Sequence, residues 1–332
     1  MNSVINEQPY AGLTPEVLLA AVDSFGLTTN GSFLALNSYE NRVYQIGLED
    51  QPPVVVKFYR AARWTDAQIQ EEHDFAFQLA EYEIPVITPL RNPQGNSLCT
   101  YQDYRFAVYP RKGGRAVDLT DMDQLHWLGR LLGRLHAVSN TRSFLVRPTL
   151  DIQTFGQEPV DFLLQSPLLR DDLRNSYQLL TEELLTLVRQ SFAEVGATPS
   201  IRLHGDFHIG NVLWTNDGPH FVDLDDARMG PAVQDLWMLL SGRQNEMRMQ
   251  ISEILDAYDE FYAFNIKELR LIEPLRTLRM IHYVAWLARR WNDPAFPHNF
   301  PWFVQPHFWD EHLNNLREQK MILEQGVQLQ LY

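Results

Sequence analysis

The sequence has a single cysteine, Cys99, and lacks the segments that would direct it to or across a membrane. One cysteine cannot form a disulfide within the chain, and no cysteine and histidine spacing typical of a zinc site can be built from it. Residues 1–9 contain neither a basic nor an apolar run, so we expect no secretory signal. No run of about 18 apolar residues occurs, so we expect no membrane span. These absences favour a soluble cytoplasmic protein.

Positive charge is also scarce. The chain has 28 lysines and arginines against 42 acidic residues, a formal net charge of -14. Proteins that bind nucleic acids need basic patches that displace counterions from phosphates, so a nucleic-acid partner is disfavoured. Apolar residues make up 45% of the chain and charged residues 21%, as is ordinary for a globular protein. A length of 332 residues is sufficient for two lobes that share a cleft.

The apolar pattern divides the chain into a β-rich part and a helical part. The first part has, in chain order, a predicted helix over 14–25, strands over 43–46 and 54–59, a helix over 65–82 and a strand over 104–109. The second part has a helix with Leu125, Leu128, Leu132 and Leu135 on one face, and helices over 171–193, 250–263 and 268–291. We therefore predict an α+β fold with two lobes, residues 1–110 and 111–332, and a hinge at Gly113 and Gly114.

The segment 203–226 interrupts the helices and carries the residues most informative about chemistry. Its turn sequence Asn216-Asp217-Gly218 lies between apolar runs and predicts a β-hairpin. With the turn centred near residue 217, Asn211 lies across from Asp223 to within one residue, and Asp206 lies in the loop before the hairpin. Mg²⁺ prefers carboxylate and amide oxygens. Phosphoryl transfer needs such a metal and one further carboxylate for the proton of the nucleophile, so we predict Asn211 and Asp223 as metal ligands and Asp206 as the base.

Two other interpretations of this segment remain. A single Asp or Asn beside a turn is commonly a cap or a solvated loop residue, although this combination of three is much rarer. The run His204-Gly-Asp206-Phe-His208 also resembles the ligands of a metal-dependent hydrolase. That reaction needs further ligands, and His220 and His282 stand alone, so we expect His204 to be structural.

The pattern His204-Gly-Asp206, four residues, Asn211 and then Val222-Asp223 resembles the aminoglycoside phosphotransferase and choline kinase branch of the protein-kinase-like superfamily. Longer runs, such as residues 36–44 and 230–240, resemble bacterial stress-response kinases within this branch, and the resemblance spans about residues 10–305. It implies a bilobal protein-kinase-like fold, with a small β-rich N-terminal lobe that clamps ATP and a larger helical C-terminal lobe. It also implies ATP as the phosphate donor, Mg²⁺ as the cofactor, Asp206 as the catalytic base, and Asn211 and Asp223 as ligands of Mg²⁺.

The resemblance further implies how the donor nucleotide is held. Lys57 corresponds to the strand lysine that grips the α- and β-phosphates, with Glu72, or less well Glu71, as its partner on the following helix. From the residues alone, a lysine at a strand end is often only snorkelling toward water, and two adjacent glutamates are commonly solvated. Asp225 and Asp226 lie beside the metal position and are expected to be solvated loop residues.

No glycine-rich phosphate loop is present. Residues 36–42 stand in its place, and the Ser38 hydroxyl and neighbouring backbone amides are candidates to cover the phosphates, although an ordinary polar turn would look similar. Adenine is expected near residues 107–110, where it would bond the backbone and stack on apolar side chains, with Val108 and Tyr109 as its contacts. Asp235 is expected to anchor the catalytic loop. Trp286, Arg289, Arg290 and Trp291 are candidates to border the acceptor cleft, but their helical spacing is more typical of packing and a salt-bridged face.

Three functions follow from this pattern. The first is a serine/threonine protein kinase of the stress response, which phosphorylates proteins including itself and acts as a monomer. The second is a kinase for a small alcohol such as an aminoglycoside, choline or homoserine. The third is an inert nucleotide-binding module, which is disfavoured because Lys57, Asp206, Asn211 and Asp223 are all present.

Overall fold

The computed structural model describes residues 9–326 and divides into two compact units. The first runs to Val117 and also contains Leu145–Arg147 and Ile209–Ala227. The second contains Asp118–Phe144, Pro148–His208 and the residues from Arg228 onward. The sequence predicted a single boundary after residue 110, whereas here two later segments belong to the first unit. The prediction that residues 1–9 carry no secretory signal concerns residues that, except for Pro9, lie outside the described part.

Nine strands lie in the described part of the chain. They are β1 (Thr29–Leu36), β2 (Arg42–Leu48), β3 (Val54–Phe58), β4 (Cys99–Tyr101), β5 (Tyr104–Pro110), β6 (Ile201–Leu203), β7 (Val212–Thr215), β8 (Gly218–Phe221) and β9 (Arg228–Gly230). The first five form an antiparallel sheet in the order β1-β2-β3-β5-β4, while β6 pairs with β9 and β7 with β8. The predicted strands coincide with β2, β3 and β5. Strand β1 begins with Thr-Asn-Gly-Ser, which is typical of a turn, and β4 has only three residues, so neither was predicted individually.

All six helices that the sequence pattern predicts are present, although some of their ends differ, and four further helices in the described part were not predicted. They are α1 (Pro15–Ser24), α2 (Asp66–Glu81), α3 (Met122–Ser139), α4 (Glu158–Gln165), α5 (Asp171–Val195), α6 (Val233–Trp237), α7 (Gln244–Tyr258), α8 (Ile272–Arg289), α9 (Ala295–Asn299) and α10 (Pro306–Gln325). Helix α7 begins six residues before the predicted start at residue 250 and ends five residues before the predicted end at residue 263. The predicted helix 268–291 is α8, preceded by a 3-10 turn at Ile266–Leu271. Among residues 9–326 no helix is both long and apolar enough to span a membrane.

The two faces of the five-stranded sheet have different partners within the first unit. One face packs against α1 through a row of buried apolar residues: Val54, Val56, Phe58, Phe106 and Val108. Neighbouring residues of a strand point to opposite faces. Lys57 and Ala107, which pair across β3 and β5, therefore lie on the other face, where Ala107 packs with Ile69 of α2. Helix α2 begins with a capping box between Thr65 and Gln68, which satisfies backbone donors of its first turn.

The hairpin of β7 and β8 is joined to the first unit by backbone hydrogen bonds. The Phe221 N–H donates to the Pro85 carbonyl (2.7 Å) and the Ile87 N–H to the Phe221 carbonyl (2.9 Å). On the other strand, the backbones of Arg115 and Trp214 exchange two bonds of 2.9 Å. These ladders explain why a segment so late in the chain belongs to the unit that carries Lys57.

The second unit is built from helices around a continuous apolar core. Residues of α4, α5, α8 and α10 form this core, which includes Leu184, Ile281 and Leu313. Helix α3 buries its predicted leucine stripe and approaches α7 closely at its glycines. A Cβ added to Gly133 would lie 2.5 Å from the carbonyl oxygen of Tyr258, so only glycine fits at that contact.

Candidate active site

Lys57 lies among three carboxylates contributed by two separate parts of the chain. Its Nζ is 2.8 Å from Asp223, 3.4 Å from Asp225 and 3.6 Å from Glu72. Strand β3 directs Lys57 to the face that α2 covers, and Glu72 on that helix meets it there. Of the two adjacent glutamates that the sequence left open, Glu72 is the one that faces Lys57, and Glu71 points elsewhere. This cluster joins β3, α2 and the segment after β8.

Burial and charge oppose each other in this cluster. Burial lowers the pKa of Lys57, but Asp223, Asp225 and Glu72 together outweigh it and hold the pKa well above its usual value. The three carboxylates share one ammonium group, so the most buried of them is incompletely compensated. Burial therefore raises the pKa of Glu72 to about 7, although Lys57 lowers it. Lys57 therefore keeps its positive charge, and Glu72 binds a proton more tightly than an ordinary glutamate.

Two arginines that the sequence analysis missed complete the cluster. The guanidinium of Arg63 contacts the carboxylates of Asp225 and Asp226, and Arg147 lies 3.5 Å from Glu72. Arg147 also donates to the Ala227 carbonyl (2.6 Å). Asp225 was expected to be solvated, but it is only 3% exposed. Burial raises the pKa of Asp225, yet Arg63 and Lys57 outweigh that effect and hold it below its usual value.

Asn211 and Asp223 lie at the open end of the predicted hairpin. Val212 pairs with Phe221, and the Val222 N–H donates to the Asn211 carbonyl (3.1 Å). Asn211 is therefore opposite Val222, one residue from the position that centring the turn on residue 217 gave. Asp223 follows in the left-handed backbone region (φ 63°), which aspartate adopts more readily than most residues, and its side chain is 51% exposed. A strained, accessible carboxylate of this kind is typical of a functional position.

Asp206, the predicted base, lies in the second unit, in the loop after β6. Its Oδ1 accepts from the Arg279 guanidinium of α8 (2.9 Å), and its Oδ2 is 3.4 Å from His208 Nε2. Sequence reasoning did not find Arg279, because it lies 73 residues from Asp206 in the chain. His204 is fully buried and lies edge-on to the ring of Phe207, consistent with the structural role expected for it. Within residues 9–326 no group of histidine, cysteine and acidic side chains has the geometry of a metal cluster.

Asp235 of α6 anchors the loop that carries Asp206. Its carboxylate accepts from the backbone N–H groups of His204 (2.8 Å) and Gly205 (2.9 Å). His136 of α3 lies 3.2 Å from the same carboxylate and 2.7 Å from the Tyr258 hydroxyl. Because these groups are buried, the loop geometry is set by the helical core of the second unit. The anchoring role expected for Asp235 agrees with these contacts.

The sheet face that carries Lys57 also offers an apolar surface. Residues that pair across an antiparallel sheet lie on one face. The pairs Leu34 with Gln45, Gln45 with Val55 and Val55 with Tyr109 place Leu34, Val55 and Tyr109 beside Lys57. Leu34 is 59% exposed, which is unusual for a leucine in a sheet and leaves room for a flat apolar ligand.

Two other residues predicted to contact the donor nucleotide, Val108 and Ser38, already form hydrogen bonds within the protein. Val108 belongs to the opposite, α1-facing side, and its carbonyl accepts from the Leu90 N–H (2.7 Å). The Ser38 hydroxyl donates to the Asn41 carbonyl (3.1 Å), which closes the turn between β1 and β2. Residues 36–42 therefore form a structured turn beside Lys57, and of the two predicted adenine contacts only Tyr109 directs its side chain to that face.

The aromatic and basic residues of α8 and the turn after it mainly pack, as expected. The guanidinium of Arg289 lies 5.0 Å from the ring centre of Phe162, and that of Arg290 lies 5.5 Å from the ring centre of Trp286. Trp291 packs against Phe303 with ring centres 5.1 Å apart. Trp286 and Trp291 are thus half-buried against the apolar core of the second unit, whereas Arg289 is exposed.

Comparison with known proteins agrees with this geometry. A model of the phosphotransferase enzyme family matches residues 32–272. Stress response kinase A of Escherichia coli strain K12 is 45% identical over 318 residues, which cover 96% of this chain and 94% of that protein. Serine/threonine protein kinase RdoA of Salmonella typhimurium strain LT2 is 44% identical over 320 residues, which cover 96% of each chain.

Solved structures with the same fold are more distant in sequence. An amicoumacin kinase in complex with AMP-PNP, Ca²⁺ and Ami superposes with a TM-score of 0.72 at 16% identity, over 95% of both chains. A microcompartment-associated aminopropanol kinase has the same TM-score and identity, over 95% of this chain and all of that one. At this identity the likeness establishes the fold alone. The chain therefore belongs to the phosphotransferase enzyme family and has its α+β protein-kinase-like fold.

Proposed function

We propose that this protein is an ATP- and Mg²⁺-dependent serine/threonine protein kinase of the stress response, which transfers the γ-phosphate in line to a hydroxyl. The observation that carries the proposal is the meeting of Lys57 with Glu72 and Asp223. Gathering three carboxylates, two of them buried, together with Lys57, Arg63 and Arg147 is costly for folding, so a structural role alone does not account for the cluster. The names of relatives at 44–45% identity agree with a kinase, and one of them is called a serine/threonine protein kinase.

On the donor side, Lys57 binds the α- and β-phosphates, and Glu72 orients its ammonium group. The amides of residues 36–42 and the Ser38 hydroxyl cover the phosphates once that hydroxyl turns from Asn41. Adenine lies on the apolar face at Val55 and bonds the end of β5 near Val108 and Tyr109, where the side chain of Tyr109 lies on the same face as Val55. The AMP-PNP in the amicoumacin kinase structure supports a nucleotide as the donor.

The residues around Asp223 suit Mg²⁺ because they offer only oxygen ligands. Asp223 is half exposed, and Asn211 precedes β7 of the same hairpin. Asp225 Oδ1 is buried 3.4 Å from Lys57 Nζ, which places a further carboxylate oxygen in the cluster. Asn211 and Asp223 would hold the ion, with Asp225 behind them. Mg²⁺ supplies positive charge that neutralises the β- and γ-phosphates during transfer.

On the acceptor side, Asp206 receives the proton of the attacking hydroxyl. Arg279 holds Oδ1 of the carboxylate and fixes its plane, so Oδ2 is the oxygen to which the proton moves. Asp235 holds the backbone on the other side of this loop. The loop is thereby prepared before the substrate arrives, which reduces the cost of reaching the reactive geometry.

Labelled ATP tests the proposal directly. The protein is incubated with γ-labelled ATP and Mg²⁺ alone, with a protein extract, and with an aminoglycoside, choline or homoserine. We expect label on serine or threonine of protein, including the kinase itself. Label on the small alcohols alone would instead favour the small-molecule kinase, which the names of the structural neighbours suggest.

Two variants separate chemistry from binding in this assay. Asp206→Ala is expected to abolish transfer and to leave ATP binding largely intact, because it removes the base and none of the groups around Lys57. Asp256→Ala, at an exposed position of α7, serves as the matched control and should behave as the unaltered protein. Nucleotide binding without transfer to any acceptor in the unaltered protein would support an inert module.

A further inference from the structure

Two basic side chains contact the proposed base. Arg279 lies 2.9 Å from one oxygen of Asp206 and His208 lies 3.4 Å from the other. Arg279 is 45% exposed and His208 41% exposed, so both are accessible to an incoming molecule. In a chain with a net charge of -14, a basic environment at this carboxylate is a local exception.

Helix α8 extends this environment along one exposed face. Positions 276, 279, 283 and 286 follow helical spacing and share that face. Arg276 adds a second guanidinium to this face, with Glu273 3.4 Å from its Nε. In the other direction, Tyr283 is 41% exposed and stacks on Trp286 with ring centres 5.7 Å apart. The face therefore has a basic half next to Asp206 and an aromatic half beyond it.

We propose that the acceptor is a serine or threonine in an acidic stretch of polypeptide that lies along this face of α8, with Arg279 as the residue that selects it. The inference rests on the proposed function, because it needs Asp206 as the base. In the transfer, the hydroxyl oxygen forms a bond to the γ-phosphorus as the bond to the β,γ-bridging oxygen breaks, and the hydroxyl proton goes to Asp206. An acidic residue beside the hydroxyl pairs with Arg279, whereas a cationic acceptor meets it as a like charge.

The dimensions of the face indicate how the polypeptide lies. Arg279 and Trp286 are seven residues apart, which is about 10 Å along a helix. An extended chain spans that distance in about three residues at roughly 3.3 Å each. The acidic residue is therefore adjacent to the phosphorylated one, and an apolar or aromatic residue about three positions further on contacts Tyr283 and Trp286. A small alcohol would use only the basic half.

Matched peptides test this selection. Serine peptides of one length carry aspartate, asparagine or lysine next to the serine, on either side, and homoserine and choline serve as small-molecule acceptors. We expect kcat/KM to be at least tenfold higher for the aspartate peptide than for the lysine peptide. Arg279→Gln should bring this ratio close to one, Arg279→Glu should invert it, and Arg279→Lys should preserve its direction. Arg317→Gln removes a charge from the exposed surface of α10 and should leave the ratio unchanged.

The ratio of kcat/KM between the aspartate and lysine peptides distinguishes substrate selection by Arg279 from a role of Arg279 in supporting the fold. If Arg279 only supported the fold or the loop, its variants would slow all peptides equally, and that outcome would overturn the inference. Equal rates for acidic and basic peptides in the unaltered protein, or homoserine used as well as the acidic peptide, would overturn it too. Tyr283→Ala should raise KM several-fold for a peptide that reaches the aromatic half and leave a truncated one unaffected. Failure of the proposed function looks different, because then no acceptor is labelled or Asp206→Ala retains transfer.

Discussion

Replacing Glu72 by glutamine is expected to remove a loss of folding stability that Glu72 causes as the pH rises. Glu72 is 2% exposed and shares Lys57 with Asp223 and Asp225. Burial raises its pKa from the ordinary 4.5 to about 7. A carboxyl group with a raised pKa binds its proton more tightly in the folded than in the unfolded chain. Its contribution to stability is therefore complete below pH 4.5 and is lost as the pH rises through 7.

The size of the effect follows from the two pKa values. The interval from 4.5 to about 7 corresponds to about 3 kcal/mol, at about 1.4 kcal/mol for each tenfold change in proton affinity. Glutamine has the shape of the protonated glutamate and does not ionise. The free energy of unfolding of Glu72→Gln minus that of the unaltered protein should therefore rise by about 3 kcal/mol between pH 4.5 and pH 8. Titrating groups distant from Glu72 are common to both proteins and cancel in this difference, whereas Asp225, whose charge raises the Glu72 pKa, contributes to it.

Urea unfolding of the nucleotide-free protein, followed by tryptophan fluorescence at several pH values from 5 to 8, measures this difference. Glu81→Gln, at an exposed position on the same helix, controls for the replacement itself and should give a difference that stays small at every pH. A flat or falling difference for Glu72→Gln would refute the reasoning, since Lys57 would then fully stabilise the ionised carboxylate. The same variant is expected to raise KM for ATP, because Lys57 loses a partner that orients it.

Four further outcomes follow from the site and the core. Lys57→Met is expected to weaken Mg-ATP binding at least tenfold in titration calorimetry, and unchanged affinity would remove Lys57 from the donor site. Asp206→Asn should lower kcat about 10²- to 10⁴-fold with little change in ATP affinity, and a change confined to KM would contradict its role as the base. Asp223→Asn should raise the Mg²⁺ concentration needed for half-maximal transfer. Gly133→Ala should cost about 2 kcal/mol in thermal unfolding, because its Cβ would lie 2.5 Å from the Tyr258 carbonyl.

The hairpin shows how far local sequence determines the site. Asn216-Asp217-Gly218 between apolar runs predicted both strands, and the structure has them. The register differs by one residue because the loop consists of two residues, Asn216 and Asp217, so that Thr215 pairs with Gly218. A turn centred on a single residue would have placed Asn211 opposite Asp223. Turn chemistry thus specifies the hairpin, and the length of the loop sets which side chains face each other.

The arginine partners of the cluster could not be predicted from the local sequence pattern. Arg63 contacts Asp225 across 162 positions of the chain, and Arg147 contacts Glu72 across 75. Neither arginine lies in a motif, and an aspartate in a short loop is ordinarily solvated, so Asp225 was expected at the surface. Asp225 is buried because the fold brings Arg63 into contact with its carboxylate. Long-range ion pairs of this kind become visible only with the tertiary structure.

The position of Glu72 depends on its neighbour Glu71 as well as on Lys57. The Glu71 carboxylate accepts from three successive backbone N–H groups, those of Leu145 (2.5 Å), Val146 (3.0 Å) and Arg147 (2.8 Å). This anchor brings the Arg147 side chain to Glu72. Adjacent residues of a helix point about 100° apart, so Glu71 binds this segment while Glu72 faces Lys57.

His73 holds α2 from the opposite side. Its Nε2 lies 2.8 Å from the Tyr59 hydroxyl and its Nδ1 2.9 Å from Ser97 Oγ, and Tyr59 in turn lies 3.2 Å from the hydroxyl of Tyr109. Burial lowers the pKa of His73 to about 3, so the ring is neutral near pH 7 and one nitrogen donates while the other accepts. Glu71, Glu72 and His73 thus bind three different parts of the first unit from consecutive positions. A rotation of α2 that separated Glu72 from Lys57 would break all three sets of contacts together, so the Lys57–Glu72 pair is set by the packing of the whole unit.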